Sequence, residues 1–380
     1  MTSVAPLSTA DTASDAPAGG NGLLWLLLAV AIGFALWQPM APAAWLALVD
    51  WQTVGALAGL LAITQAVEQS GVLQATARRL LARISTQRQL ALWLTAAAAA
   101  LSALVTNDVS LFLLVPLTRV LATQAELPLV RLVVLQALAV NAGSALTPIG
   151  NPQNLFLWHR SGLGFGSFIA MMSPTVAVML AWLFAAAWVL VPRTPIALQA
   201  GAPVADVSPR LLALAGVLLL AFIVALDRHA LVVGLVIVSG ALLVFKSRVL
   251  LGIDWALLAI VALMFVDLRQ LAALPTVAAW LGALPIGEGL NAYLAAVVTS
   301  QFISNVPAAI ALDRYVHDLP ALAAGVSVGG FGFVIGSLAN LIALRLARLP
   351  KSAHALREFH KISIPFLIAC AASAALLRLH

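Results

Sequence analysis

Charge is what this chain has least of. Asp, Glu, Lys and Arg make up 9% of its 380 residues and hydrophobic types 63%, where a soluble domain carries about 25% charged residues. A water-soluble fold is thereby excluded. The single cysteine, Cys370, permits neither an intramolecular disulfide nor a thiolate metal cage. The sequence contains no HExxH, no nucleotide-binding glycine loop and no Ser–His or paired-Asp constellation, which argues against an enzyme and leaves no cofactor or metal site to expect. A formal net charge of +6 calls for no nucleic-acid partner, because Arg and Lys in short loops set membrane orientation. Residues 1–21 have neither Lys nor Arg and are rich in Ala, Ser, Pro and Gly. They lack the basic start of a cleaved signal peptide and are expected to form a disordered tail.

What is present is a succession of apolar runs, each long enough to cross a hydrocarbon core with roughly 20 helical residues. The fold class expected is an all-α polytopic membrane protein, its natural partner the lipid bilayer. Spans are read at 22–38, 45–65 (with Asp50 and Trp51 in its opening turns), 164–192, 211–226, 230–245, 253–271 and 362–378. Glu68 to Arg88 sets Leu73, Ala77, Leu80 and Leu81 at helical spacing against Arg78, Arg79 and Arg83, the pattern of a helix lying on the membrane surface. A second, charge-poor arm is read at 272–287, and 192–210 is a polar connector with four prolines, its linker taken as 193–210.

Four apolar segments are interrupted in their middles. Thr106-Asn107-Asp108 divides 89–123, and Ser304-Asn305 divides 289–316. The segment 128–159 is broken at 141–154, which holds Ser, Thr, Gln, three Asn, two Gly and two Pro, and 320–347 is broken at Gly336 to Asn340. In a bilayer, unwound backbone is tolerated only where protein or a water-filled cavity supplies hydrogen bonds. Broken helices expose N–H groups and carbonyls at membrane depth, which is how many secondary transporters build solute and ion sites.

The two halves echo one another. Val49-Asp50-Trp51 recurs as Ile253-Asp254-Trp255, LVTNDV (104–109) as FISNVP (302–307), and VNAGSALTPIGNPQNL (140–155) aligns without gaps on VSVGGFGFVIGSLANL (326–341). Three matches in the same order indicate duplication. The expected domains are a first repeat over 22–192 with hairpin 89–123 and broken span 128–159, the cytoplasmic linker, a connecting span at 211–226, and a second repeat over 230–380 with hairpin 289–316 and broken span 320–347.

Each interrupted hairpin segment reads equally well as two full spans or as a re-entrant hairpin, and the distribution of basic residues decides. With the N-terminus inside and both hairpins re-entrant, five cationic residues (Arg160, Arg228, Arg269, Arg314, Arg378) fall outside and the other fifteen of the 20 Lys and Arg fall inside, as positive-inside orientation requires. The connecting span then inverts the second unit. The expectation is two inverted-topology repeats, about nine full spans plus two hairpins whose tips meet near the midplane.

TNDV (106–109) with VPL (115–117), LTPIGNPQNL (146–155) and GSLANL (336–341) resemble motifs of the ion transporter superfamily, in particular its arsenite-efflux, sodium/proton antiporter and bacterial anion-permease branch. The resemblance covers residue 44 to the end. It implies a multi-pass protein of the bacterial cytoplasmic (inner) membrane, a homodimer, an outer scaffold and an elevator-like motion of the hairpin domain. In related divalent-anion/sodium symporters the hairpin tips carry paired Ser-Asn-Thr motifs that bind substrate and sodium. Here their counterparts are Thr106-Asn107-Asp108 and Ser304-Asn305-Val306, which have lost one hydroxyl and gained a carboxylate.

The candidate site residues are Thr106, Asn107, Asp108, Asn141, Ser144, Thr147, Asn151, Asn154, Ser304, Asn305, Ser337 and Asn340. Asp108, an intramembrane acid at a break, is read as the coupling residue, carrying a proton or, with Asn107 and Asn305, sodium. The function expected is secondary active transport of a small inorganic solute, arsenite or a related oxyanion exported by proton exchange. Sodium/proton antiport is the same-fold alternative and a passive channel or facilitator the alternative of another class. Asp50 and Asp254 are read as interfacial anchors, Asp267 with Arg269 and Asp313 with Arg314 as structural pairs, and the histidines as solvated.

Overall fold

The computed structural model describes residues 22–104, 106–197, 206–228, 230–276, 279, 283, 285–349 and 352–378. Its regular structure among the described residues is helical throughout, with one isolated bridge between Thr86 and Pro195. In a chain this poor in charge, helices satisfy the backbone internally, and short polar side chains mark where they begin. Asp50 accepts from Gln52 N and Thr53 N, Thr106 from Val109 N, Asn151 from Asn154 N, Ser208 from Leu211 N, Asp254 from Leu257 N and Asp318 from Ala321 N. Asp50 and Asp254, read as interfacial anchors, each cap the helix that follows them.

The helices fall into two groups. The first contains α1 (Gly22–Trp37), α2 (Pro42–Leu48), α3 (Trp51–Gln69), α10 (Pro209–Asp227), α11 (Leu231–Lys246) and α12 (Trp255–Ala273), with α1 packed on α12 and α3 on α10, α11 and α12. The span expected at 45–65 is in fact bent by 64° between α2 and α3, with Asp50 at the bend because its carboxylate caps α3. Outward-facing Val232, Val233, Val236, Val244 and Phe245 of α11 are exposed, the surface a bilayer would cover.

The second group comprises α5 (Gln87–Leu104), α6 (Asn107–Gln124), α7 (Leu129–Ser144), α8 (Pro152–Ser161), α9 (Phe165–Leu190), α13 (Gly289–Ile303), α14 (Asn305–Leu312), α15 (Leu319–Gly329), α16 (Leu338–Leu346) and α17 (Ser352–Leu376). At its centre, α7 is buried from Leu132 to Ser144 and α15 from Ala321 to Gly329. Small residues let these helices approach closely. Ala91, Thr95, Ala98, Ala99 and Ser102 form the buried face of α5, which packs on α7, while Ala292, Ala296 and Ser300 of α13 meet α15. The last helix begins ten residues before the expected span at 362–378.

Between the groups lies α4 (Val72–Arg83), which packs on α6. It is the amphipathic helix expected within 68–88, shortened because α3 continues to Gln69. Ion pairs also join the groups: Glu68 of α3 to Arg119 of α6 at 3.0 Å and to Arg348 at 3.9 Å, and Asp254 to Arg345 of α16 at 2.9 Å. Asp313 pairs with Arg160 at 2.7 Å, not with its neighbour Arg314. Asp267 has no partner among the described residues, and Arg269 turns instead to the carbonyl of Ala47. The tail at 1–21, residues 198–205 of the linker and most of 277–284 in the second arm lie outside the described residues.

Candidate functional site: a cleft between two helix groups

All four interruptions are real breaks in helix. At the first tip, α5 stops at Leu104 and α6 starts at Asn107 with Thr106 as cap. Asn107 N donates to Gly150 O at 2.9 Å, stitching this tip to the break between α7 and α8. Asn107 Oδ1 accepts from Asp108 N at 2.9 Å. At the second tip, Ser304 joins α13 to α14 with φ 68° and ψ 154°, a region that only glycine enters without strain.

The broken segments are held by their own amides. Asn154 Nδ2 donates to the carbonyls of Ser144, Ala145 and Thr147 at 3.3, 2.9 and 3.0 Å. Asn151 Nδ2 reaches Ser144 Oγ at 3.0 Å, and Thr147 Oγ1 reaches Ala103 O at 2.9 Å. In the other break Asn340 Nδ2 donates to Gly330 O at 2.8 Å. The two breaks meet where Asn141 Nδ2 donates to Asn340 Oδ1 and Ser337 Oγ donates to Asn141 Oδ1, both at 2.9 Å.

Of the twelve residues expected at the site, Asn107, Asp108, Ser304, Asn305 and Ser337 come together around one cleft that opens to the surface. Asn141, Ser144, Thr147, Asn151, Asn154 and Asn340 stand behind them and hold the breaks together, while Thr106 caps α6. The opposite wall belongs to the first helix group: Thr53 of α3 and Val261, Met264, Phe265 and Leu268 of α12. The second group's wall mixes its polar side chains with Pro152, Val306, Pro307 and Leu338, and the first group's wall is largely apolar.

Asp108 is the one ionisable residue among those lining the cleft, and its carboxylate has no ion pair among the described residues. Asn107 and Asn305 contribute amides, Ser304 and Ser337 hydroxyls. Such a lining can exchange hydrogen bonds with a hydroxylated solute or replace the hydration of a small cation. It offers no cationic side chain to a free multiply charged anion.

Reading the sequence missed several lining residues. The apolar wall gave no signal, because Met264 or Phe265 inside a greasy run reads as any span does. Gln153 lies within the polar stretch 141–154 yet has no counterpart in the repeat, where Ala339 stands. His360, expected to be solvated, instead accepts from Val334 N at 3.2 Å beside the second break. Gln301 serves there too, donating to Gly329 O at 2.7 Å and accepting from Phe333 N at 2.9 Å.

Long apolar helices, breaks within apolar segments and a cleft between helix groups that gathers several polar side chains define a polytopic membrane transporter. Residues 21–328 match the family profile described as citrate transporter, and the chain belongs to that family. It is 42% identical to the inner membrane protein YbiR of Escherichia coli K12, over 92% of this chain and 93% of that one. It is 28% identical to the uncharacterized transporter MJ0456 of Methanocaldococcus jannaschii, over 79% and 82% of the respective chains. A shorter match, 31% identical over 34% of this chain and 26% of the other, is to the silicon efflux transporter LSI3 of Oryza sativa subsp. japonica.

Proposed function

We propose that the chain is a secondary active transporter of a small hydroxylated inorganic acid, arsenite in its neutral form or a related oxyacid, moved out of the cell in exchange for protons. The observation that carries this reading is the cleft itself. Among the described residues it presents amides, hydroxyls and one unpaired carboxylate, Asp108, and no cationic side chain. A neutral acid with several O–H groups can satisfy those groups, whereas a free tricarboxylate such as citrate would meet the Asp108 charge with no counter-cation. The likeness to a silicon efflux transporter supports the same class of solute, since silicic acid is also neutral and polyhydroxylated. With no cysteine at the breaks, arsenic would be held through hydroxyl hydrogen bonds.

In this reading the protein sits in the inner membrane as a homodimer, its N-terminus cytoplasmic, built from two inverted repeats with two re-entrant hairpins. The repeat is supported by equivalent hydrogen bonds. Asn154 Nδ2 to Ser144 O and Asn340 Nδ2 to Gly330 O occupy positions that correspond in the alignment of 140–155 on 326–341, as do Gly150 N to Thr147 O and Gly336 N to Phe333 O. The second helix group would move against the first, breaking and remaking the Glu68 and Asp254 ion pairs, and so expose the cleft to each side in turn. Asp108 carries the coupling proton.

The test is flux from proteoliposomes under an imposed pH gradient, with arsenous acid, orthosilicic acid, citrate with and without magnesium, and sodium added singly. Proton movement evoked by a hydroxylated acid supports the reading. Proton movement with sodium alone would assign an antiporter, for which Asp108 and the oxygens of Asn107 and Asn305 are the ion ligands. Movement with citrate alone would refute the choice of solute.

A further inference from the structure

Gln153, in the first turn of α8, lines the cleft together with Asp108. It is 3% exposed, and its Oε1 is buried without a hydrogen-bond donor among the described residues. The side-chain oxygens of Gln74, Gln124, Gln136, Asn154 and Gln270 also lack a donor among the described residues, but Gln153 is the one of these that lines the cleft. A buried acceptor with no donor is costly and rare in native structures. One that opens on a cleft is explained when the cleft's occupant supplies the donor.

The chemistry of the missing donor follows from what else faces the same space. Asp108 adds a carboxylate, and Ser337, whose hydroxyl proton is committed to Asn141 Oδ1, adds another accepting oxygen. Asn107 Oδ1 is already taken by Asp108 N, so Asn107 has its Nδ2 to give. The side facing Gln153 and Asp108 is therefore rich in acceptors, and its complement is a ligand with several O–H groups. The alignment of the two breaks sets Gln153 against Ala339, so this acceptor belongs to one repeat only and makes the site lopsided.

We propose that Gln153 is a solute-binding residue whose Oε1 accepts an O–H hydrogen bond from the transported acid, and so selects hydroxylated solutes over those with acceptors alone. This rests on the reading of the solute given above, and the two fail separately. If the wild-type protein moves neither arsenous nor orthosilicic acid, the solute is wrong. If it does, Gln153 is judged on the variants.

The experiment compares wild type, Gln153→Leu, Gln153→Met and Gln153→Glu in proteoliposomes, measuring KM and maximal rate for arsenous and orthosilicic acid and protons moved per solute. Leu and Met remove the acceptor, and the expected result is a KM raised about tenfold, with protons per solute unchanged because Asp108 is intact. Glu retains the accepting oxygens and loses the amide donor, and it keeps KM within about threefold of wild type. Unchanged KM in folded Gln153→Leu or Gln153→Met overturns the proposal, and so does a Glu variant as impaired as the apolar ones, since then the amide N–H was the working group. Where the apolar variants fail to fold, the Glu variant decides alone.

Discussion

Asn141 and Asn340 face each other at the centre of the molecule, the Nδ2 of one 2.9 Å from the Oδ1 of the other, although 199 positions separate them in the chain. Each belongs to a different broken segment, and each also holds backbone of its own: Asn141 donates to Ala137 O at 3.1 Å and Asn340 to Gly330 O at 2.8 Å. The two breaks are thus one cross-braced unit, and the cleft lies against it.

Asn340→Ala removes that brace, leaving the Gly330 carbonyl without its donor and the Asn141 amide with Ala137 O as its remaining acceptor. The stranded carbonyl costs about 1–3 kcal/mol and the lost amide–amide bond about 1 kcal/mol more, so the expected loss of stability is about 2–4 kcal/mol, read as a lower unfolding temperature in detergent. Ser337→Ala, which removes one bond to Asn141 Oδ1, is expected to cost less. Equal stability of Asn340→Ala and wild type would show that the brace is idle.

Gly150 and Gly336 occupy equivalent places in the two breaks, and neither has room for a side chain. A Cβ on Gly150 would lie 2.2 Å from Ser144 O, and one on Gly336 would lie 2.8 Å from Gly329 O. Both neighbours are backbone and cannot rotate away. Gly336→Ala is expected to cost about 1–3 kcal/mol and Gly150→Ala more. Gly150→Ala also displaces the carbonyl that receives Asn107 N, so its transport falls further than its stability does, as flux per folded molecule would reveal.

Ser304 pairs a strained backbone with a hydroxyl at the cleft. Ser304→Gly relieves the strain and is expected to raise stability by about 1–2 kcal/mol, while Ser304→Ala keeps the strain and gains nothing. Both lose the hydroxyl and are expected to raise the solute KM. If Gly and Ala stabilise equally, the backbone at this position is not strained.

The positions of the breaks were legible in the sequence because bilayer physics forbids polar knots such as Thr106-Asn107-Asp108 in a lipid-facing helix, and because Thr106 and Asn151 are the residue types that cap helices. The correspondence of the two breaks was partly legible in the ungapped alignment of 140–155 on 326–341. What stayed hidden depends on distance in space. Asp313 was assigned to adjacent Arg314 but bonds Arg160, 153 positions away, and nothing local marks that choice. Asp50 and Asp254 each precede Trp, which suggested interfacial residues, and the caps they make on the helices that follow are the part the structure adds. The apolar wall of the cleft was invisible for a plainer reason: Met264, Phe265 and Leu268 differ in nothing from residues that face lipid or core.

The central claim is that Asp108 couples solute movement to protons. Proteoliposomes of wild type and Asp108→Asn, loaded with arsenous acid under an imposed pH gradient, would be followed for solute and proton flux together. Asp108→Asn, which keeps size and hydrogen bonding but cannot carry the proton, is expected to lose uphill solute movement and solute-evoked proton flux, while solute binding stays within about tenfold of wild type. Uphill movement at the wild-type rate in Asp108→Asn would contradict the claim.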